Sequence, residues 1–97
     1  MSTSVNDAEY EALRVRMRDL RVEAGLTQEQ MAERLKLGQS FVSKLERGAN
    51  FFDLLLFVRW CRECDARPEA VLGELLSVWR GNRLPIHEQN KRMPKNK

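Results

Sequence analysis

The sequence predicts an all-α fold of five helices. Apolar residues recur three and four apart through most of the chain, and no stretch alternates with period two for long enough to make a strand. Gly25, Gly38, Gly48 and Pro68 then cut this pattern into helix-length pieces.

The first piece carries Tyr10, Leu13, Met17, Leu20 and Ala24 on one face, with Arg14, Arg16, Arg18 and Glu23 on the others. Gly25 stands where a left-handed cap would end that helix. Thr27 opens the second helix, and Gln30 completes a capping box that satisfies two amide donors together. Met31, Ala32 and Leu35 face inward from it. The third helix runs from about Gln39 to Arg47 and buries only Val42 and Leu45 before Gly48 ends it. Asp53 is an N-cap for a fourth helix holding Leu54, Phe57, Trp60, Cys61 and Cys64. Pro68 suits the first turn of a fifth, which carries Val71, Leu72, Leu75, Leu76 and Trp79.

With 97 residues, 42% hydrophobic and 32% charged, the chain has the size of one domain with a modest core. So short a chain buries a small share of its surface, which favours oligomerisation. The formal charge of +3 is too mild to argue for a polyanionic partner by itself. Most of it lies at the C-terminal end, where Arg80, Arg83, Lys91, Arg92, Lys95 and Lys97 stand against Glu88. The expected organisation is a domain over residues 1–80 and a basic, disordered tail over 81–97. No run approaches the roughly 18 apolar residues of a membrane span, and Met1–Asp7 lacks a signal-peptide core. The expected location is cytoplasmic.

Cys61 and Cys64 sit at core positions beside Phe57 and Trp60 and read as small hydrophobes. A zinc site needs four ligands, and the single histidine, His87, lies far off in the tail, so no metal or cofactor is expected. Paired carboxylates, a nucleophile with its base and a phosphate-cradling glycine loop are also missing from the pattern, which argues against an enzyme.

The third helix is the unusual element. It devotes most of its short length to Gln39, Ser40, Ser43, Lys44 and Arg47. Glutamine can pair bidentately with adenine, and lysine can reach the acceptors of guanine. A helix of this width enters the major groove, with its N-terminal side chains reaching base edges first. Residues 27–48 therefore read as a helix-turn-helix that binds double-stranded DNA.

The stretch from about Leu20 to Leu72 resembles the helix-turn-helix family of phage Cro and lambda-type repressors, the Xre-like family. The matching residues are Leu20-Arg21, Gly25-Leu26-Thr27-Gln28, Glu29, Ala32, Gln39-Ser40, Val42-Ser43 and Glu46-Arg47-Gly48. The resemblance implies a lambda repressor-like DNA-binding domain. By that likeness Gln28 contacts a phosphate and braces the third helix, and Gln39 reads a base. Ser43 and Lys44 face the groove, and Ser40 meets a base or the backbone. Asn50 lies in a loop where backbone contacts often occur, and Arg21 forms a buried ion pair with Glu46. The chain departs from the pattern at three places. Lys36 stands for the usual glycine and adds a positive charge near the DNA backbone. Phe51-Phe52 replaces a proline-containing loop, and Arg67 replaces a small N-cap.

The expected function is a transcriptional regulator, a repressor binding an inverted repeat as a homodimer through the fourth and fifth helices. Leu55, Leu56, Val78 and the broad apolar face of the fifth helix either make that dimer or fill a widened core. Alternatives are an antitoxin, which binds both DNA and a toxin protein partner, and an interaction module that does not read DNA. The tail either adds phosphate contacts or stands unused.

Overall fold

In the computed structural model, which describes residues 8–79, the helices follow one another as α1 (Ala8–Glu23), α2 (Gln28–Leu35), α3 (Gln39–Arg47), α4 (Leu54–Glu63) and α5 (Pro68–Trp79). Among the described residues there is no strand. The predicted tail of 81–97, with His87, lies outside them.

The starts follow the local chemistry of the sequence. Thr27 Oγ1 accepts from the Gln30 amide at 3.0 Å, and Gln30 Oε1 accepts from the Thr27 amide at 2.9 Å. Asp53 Oδ1 accepts from the Leu56 amide at 2.8 Å. Arg67 caps nothing with its side chain, which forks onto the Glu69 carboxylate at 3.0 and 2.7 Å.

The first four helices all close by one device, paired 6→1 and 5→2 hydrogen bonds around a left-handed residue. After α1 the Leu26 amide reaches Arg21 O and the Gly25 amide reaches Val22 O. The same pairing recurs around Lys36, Gly48 and Asp65. All four residues have positive φ, from 59° at Asp65 to 89° at Gly48. Aspartate visits that region more readily than most residues. Lysine does not, and Lys36 costs about 1 kcal/mol relative to glycine.

The core lies where α1, α2, α3 and α4 converge, with Met17, Met31, Leu35, Val42, Leu45, Trp60 and Cys61 fully buried. Trp60 donates its indole N–H to Met17 O at 2.8 Å, so its one polar atom is satisfied in the interior. Phe52 meets the same ring edge-on at 5.0 Å. Helix α5 packs across α1 and α4 through Val71 and Leu75. Cys61 is buried, Cys64 is half-buried, and both are free thiols.

Several inward expectations are corrected. Leu54 shares a helical face with Phe57 and Cys61 but sits in the first turn of α4, beyond the end of the core, and is 76% exposed. Leu72 and Leu76 flank the buried Val71–Leu75 stripe and remain in solvent, because the apolar face of α5 is wider than its contact. Ala24 lies past the end of α1 and is also exposed. Arg14 moves the other way. It is half-buried, packs against Gly48 and donates from Nη1 to Glu46 O at 3.0 Å.

Candidate nucleic-acid interface

Helix α3 lies on α1 and α2 and buries Val42, Leu45 and Glu46. The opposite side turns Gln39, Ser40, Lys44 and Arg47 to solvent, with Ser43 half-buried between them. Lys36 is exposed in the turn before the helix, and Asn50 is half-buried in the loop after it. Gln28, the first residue of α2, borders α3 and is half-buried. All eight sequence-predicted residues therefore cluster on or beside α3.

The face is anchored from below by a buried ion pair. Arg21 Nε donates to Glu46 Oε2 at 2.6 Å, and Arg21 Nη2 donates to Glu46 Oε1 at 3.0 Å. The third branch of the guanidinium, Nη1, donates to Leu26 O at 2.7 Å. A planar fork fully matched in this way fixes both side chains. It ties the end of α1 to the end of α3 and to the segment leading into α2.

This anchor reaches the surface through two amides. Gln28 Nε2 donates to Glu46 Oε1 at 3.0 Å, and Gln39 Nε2 donates to Gln28 Oε1 at 3.1 Å. The polarity of the chain is forced, because a carboxylate only accepts. Gln28 must offer its N–H₂ to Glu46 and its oxygen to Gln39. Gln39 then spends one N–H inward and keeps its oxygen and second N–H for the solvent side. An acceptor and a donor presented side by side complement the N6–H and N7 edge of adenine.

Two residues that the sequence reading left aside hold the C-terminal end of α3. Arg14 satisfies a carbonyl in its last turn, which a cation at a helix C-terminus also favours electrostatically. A Cβ on Gly48 would approach Arg14 Nε to 3.0 Å, so the arginine would have to give by a few tenths of an ångström, while the left-handed backbone at φ 89° is what favours glycine there. Tyr10 pins the following loop. Its hydroxyl donates to Asn50 O at 3.0 Å and accepts from the Phe52 amide at 3.2 Å, while its ring meets Phe51 edge-on. Burial raises the Tyr10 hydroxyl above its ordinary pKa, against the lowering effects of the Phe52 amide and the Arg14 charge. The signal for both was their spacing. Tyr10, Arg14 and Arg21 are four and seven apart and share one side of α1.

Phe41 is a further departure from a purely polar face. It is 36% exposed and lines a hollow of about 220 Å³ with Leu37, Leu55, Leu56 and Arg59. Among the described residues no group of three or more His, Cys, Asp or Glu side chains could hold a metal ion. None of the helices there is long and apolar enough to cross a membrane.

The helix-turn-helix domain family model matches residues 12–78 of this chain. An XRE-family like protein from Pseudomonas syringae pv. tomato superposes with a TM-score of 0.72 at 35% sequence identity, covering 79% of this chain and 94% of that one. Two crystal structures of the clp gene regulator ClgR from Corynebacterium glutamicum are also similar. One has a TM-score of 0.65 at 27% identity, with 75% of this chain and 95% of that chain covered. The other has a TM-score of 0.66 at 25% identity, with 90% of each chain covered. No curated protein sequence matches the chain. The chain belongs to the Xre-type helix-turn-helix family. It is a DNA-binding regulator by class.

Proposed function

We propose that the protein is a sequence-specific transcriptional repressor that reads an inverted-repeat operator as a homodimer. Helix α3 enters the major groove. Gln39 reads an adenine, Ser43 and Lys44 meet neighbouring base edges, and Ser40 meets a base or phosphate. Gln28, Lys36, Arg47 and Asn50 grip the backbone and set the register, as phosphate contacts do in general.

The observation that carries this reading is the hydrogen-bonded chain from Arg21 through Glu46 and Gln28 to Gln39. A merely solvated helix face has no use for a surface amide held in one orientation by a buried charge. The dimer reading is supported by the apolar surface of α4 and α5. Leu54, Leu72 and Trp79 border a groove of about 180 Å³ there, with Leu76 and Val78 exposed on α5.

Selection of bound fragments from random DNA tests the whole reading, and an inverted repeat is the expected product. On the selected duplex, Gln39→Ala weakens binding by about 1–3 kcal/mol and relaxes preference at one base pair per half-site. Undiminished binding after loss of both Gln39 and Lys44 would falsify the assignment of α3 as the reading helix.

A further inference from the structure

We infer that Phe41 is a further specificity-determining residue, reading the 5-methyl group of a thymine at one position in each half-site. This rests on the reading that α3 enters the major groove, and it adds an apolar contact to a face that is otherwise polar.

The first observation is the place of Phe41 on the helix. Successive residues of an α-helix are turned by about 100°. With buried Val42 as the inward direction, Gln39 lies about 60° to one side of it and Phe41 about 100° to the other. The solvent-side sector between them holds Ser43, Arg47, Ser40 and Lys44 in that order. Gln39 and Phe41 are thus the two edges of one face. Both stand in the first turn of α3, where side chains reach base edges first.

The second observation is what lies against the ring. Phe41 is 36% exposed and shares its hollow with Leu37, Leu56 and Arg59. Leu37 and Leu56 are half-buried and packed against the core. Arg59 Nη2 donates to Leu35 O at 3.0 Å, tying α4 to the turn before α3. Part of the ring therefore meets a wall of held side chains, and the rest is left in water. Gln39, at the other edge, is held by Gln28.

The chemistry of the groove then selects the partner. Base edges there carry hydrogen-bond donors and acceptors and one apolar group, the thymine methyl. Phenylalanine has no donor or acceptor to offer, so covering a polar edge with it costs water contacts and returns none. Against the methyl, both partners leave water favourably.

The test starts from the duplex selected from random DNA. Its thymines are replaced one at a time by uracil, which removes the methyl and leaves the hydrogen-bonding edges intact. The native chain, F41A and F41L are compared at full length. The native chain is expected to bind about 3- to 10-fold more weakly after replacement at one thymine per half-site. F41A binds the thymine and uracil duplexes alike at that position, and F41L keeps a reduced difference. A selected half-site without thymine overturns the inference. So does an F41A variant that keeps the native thymine-to-uracil ratio. General weakening would then place Phe41 against the sugar–phosphate backbone, a lowered unfolding midpoint in the protein's own packing, and weaker self-association at a protein interface. Should F41A not fold, a reduced ratio in F41L supports the inference and an unchanged one overturns it. If the native chain shows no preference for its selected duplex, the α3 reading itself fails. A retained preference with no thymine-to-uracil difference removes this inference alone.

Discussion

Helices α3 and α5 are of similar length, yet they meet solvent with opposite chemistry. α3 buries Val42, Leu45 and Glu46 and turns glutamine, serine, lysine and arginine outward. α5 buries Val71 and Leu75 and leaves Leu72, Leu76 and Val78 in water. The polar face of α3 is also braced, since Gln39 is linked through Gln28 to a buried ion pair. On α5 the exposed Leu72 lines an apolar groove together with Leu75 and Trp79. One surface is prepared to match fixed donors and acceptors, where orientation matters. The other is suited to being covered, where area matters and direction does not.

The strongest way to break this contrast is to remove the brace. Arg21→Met leaves the Glu46 carboxylate buried beside an apolar side chain, and is expected to cost about 3–5 kcal/mol in urea unfolding. Pairing it with Glu46→Leu removes the stranded charge and recovers most of that stability. Operator preference stays lost in the double variant, because Gln28 no longer has a carboxylate to orient it. If preference returned with stability, the ion pair would be a packing feature only.

The α5 side is tested next. Replacing Leu72 and Leu76 together with serine removes apolar surface that the monomer buries only in part, the two being 40% and 53% exposed. Sedimentation is expected to show dimer dissociation strengthened by tenfold or more, well beyond what the small loss in the monomer unfolding midpoint accounts for. A lowered midpoint with unchanged association would make the two leucines part of the monomer's own packing.

A smaller effect sits at the turn between α2 and α3. Lys36→Gly relieves a left-handed lysine and is expected to raise stability by about 1 kcal/mol. The same variant flattens the salt slope of DNA binding by about 0.9 if Lys36 meets a phosphate. Stability and affinity therefore move in opposite directions.

A last effect, confined to alkaline pH, concerns the free thiols in and just after α4. Burial pushes both Cys61 and Cys64 from the ordinary 9.0 up to about 11. Between these values the unfolded chain has released its thiol protons while the folded chain still holds them. The unfolded state binds fewer protons, so stability falls as pH rises from about 9 to about 11. Urea unfolding across that range checks it, and Cys64→Ala is expected to flatten the trend.

The elements and their caps were legible because each depends on a few neighbouring residues. Thr27 with Gln30, Asp53, Gly25 and Gly48 act within one turn, and all behave as the sequence predicts. Asp65 was missed because aspartate enters the left-handed region without advertising it as glycine does. The membership of the α3 face was legible as well, since Val42 and Leu45 leave only one way for the helix to lie. The errors share another cause. Leu54, Leu72, Leu76 and Arg14 were placed by periodicity, which says which residues share a side of a helix. It does not say how far the neighbouring element extends over that side.

The sequence by itself determined five helices, their order, most of their caps and the polar character of α3, all consequences of spacing and local hydrogen bonding. The Arg21–Glu46 pair came only from family resemblance, and the fold supplied its geometry. Tertiary structure alone decided that Glu46 also orients Gln28, that Gln28 orients Gln39, that Arg14 holds the last turn of α3 and that Tyr10 holds the loop after it. It also decided which leucines of α5 remain uncovered. These contacts join residues 11 to 40 positions apart. Such contacts depend on where helices come to rest, and no local pattern carries that distance.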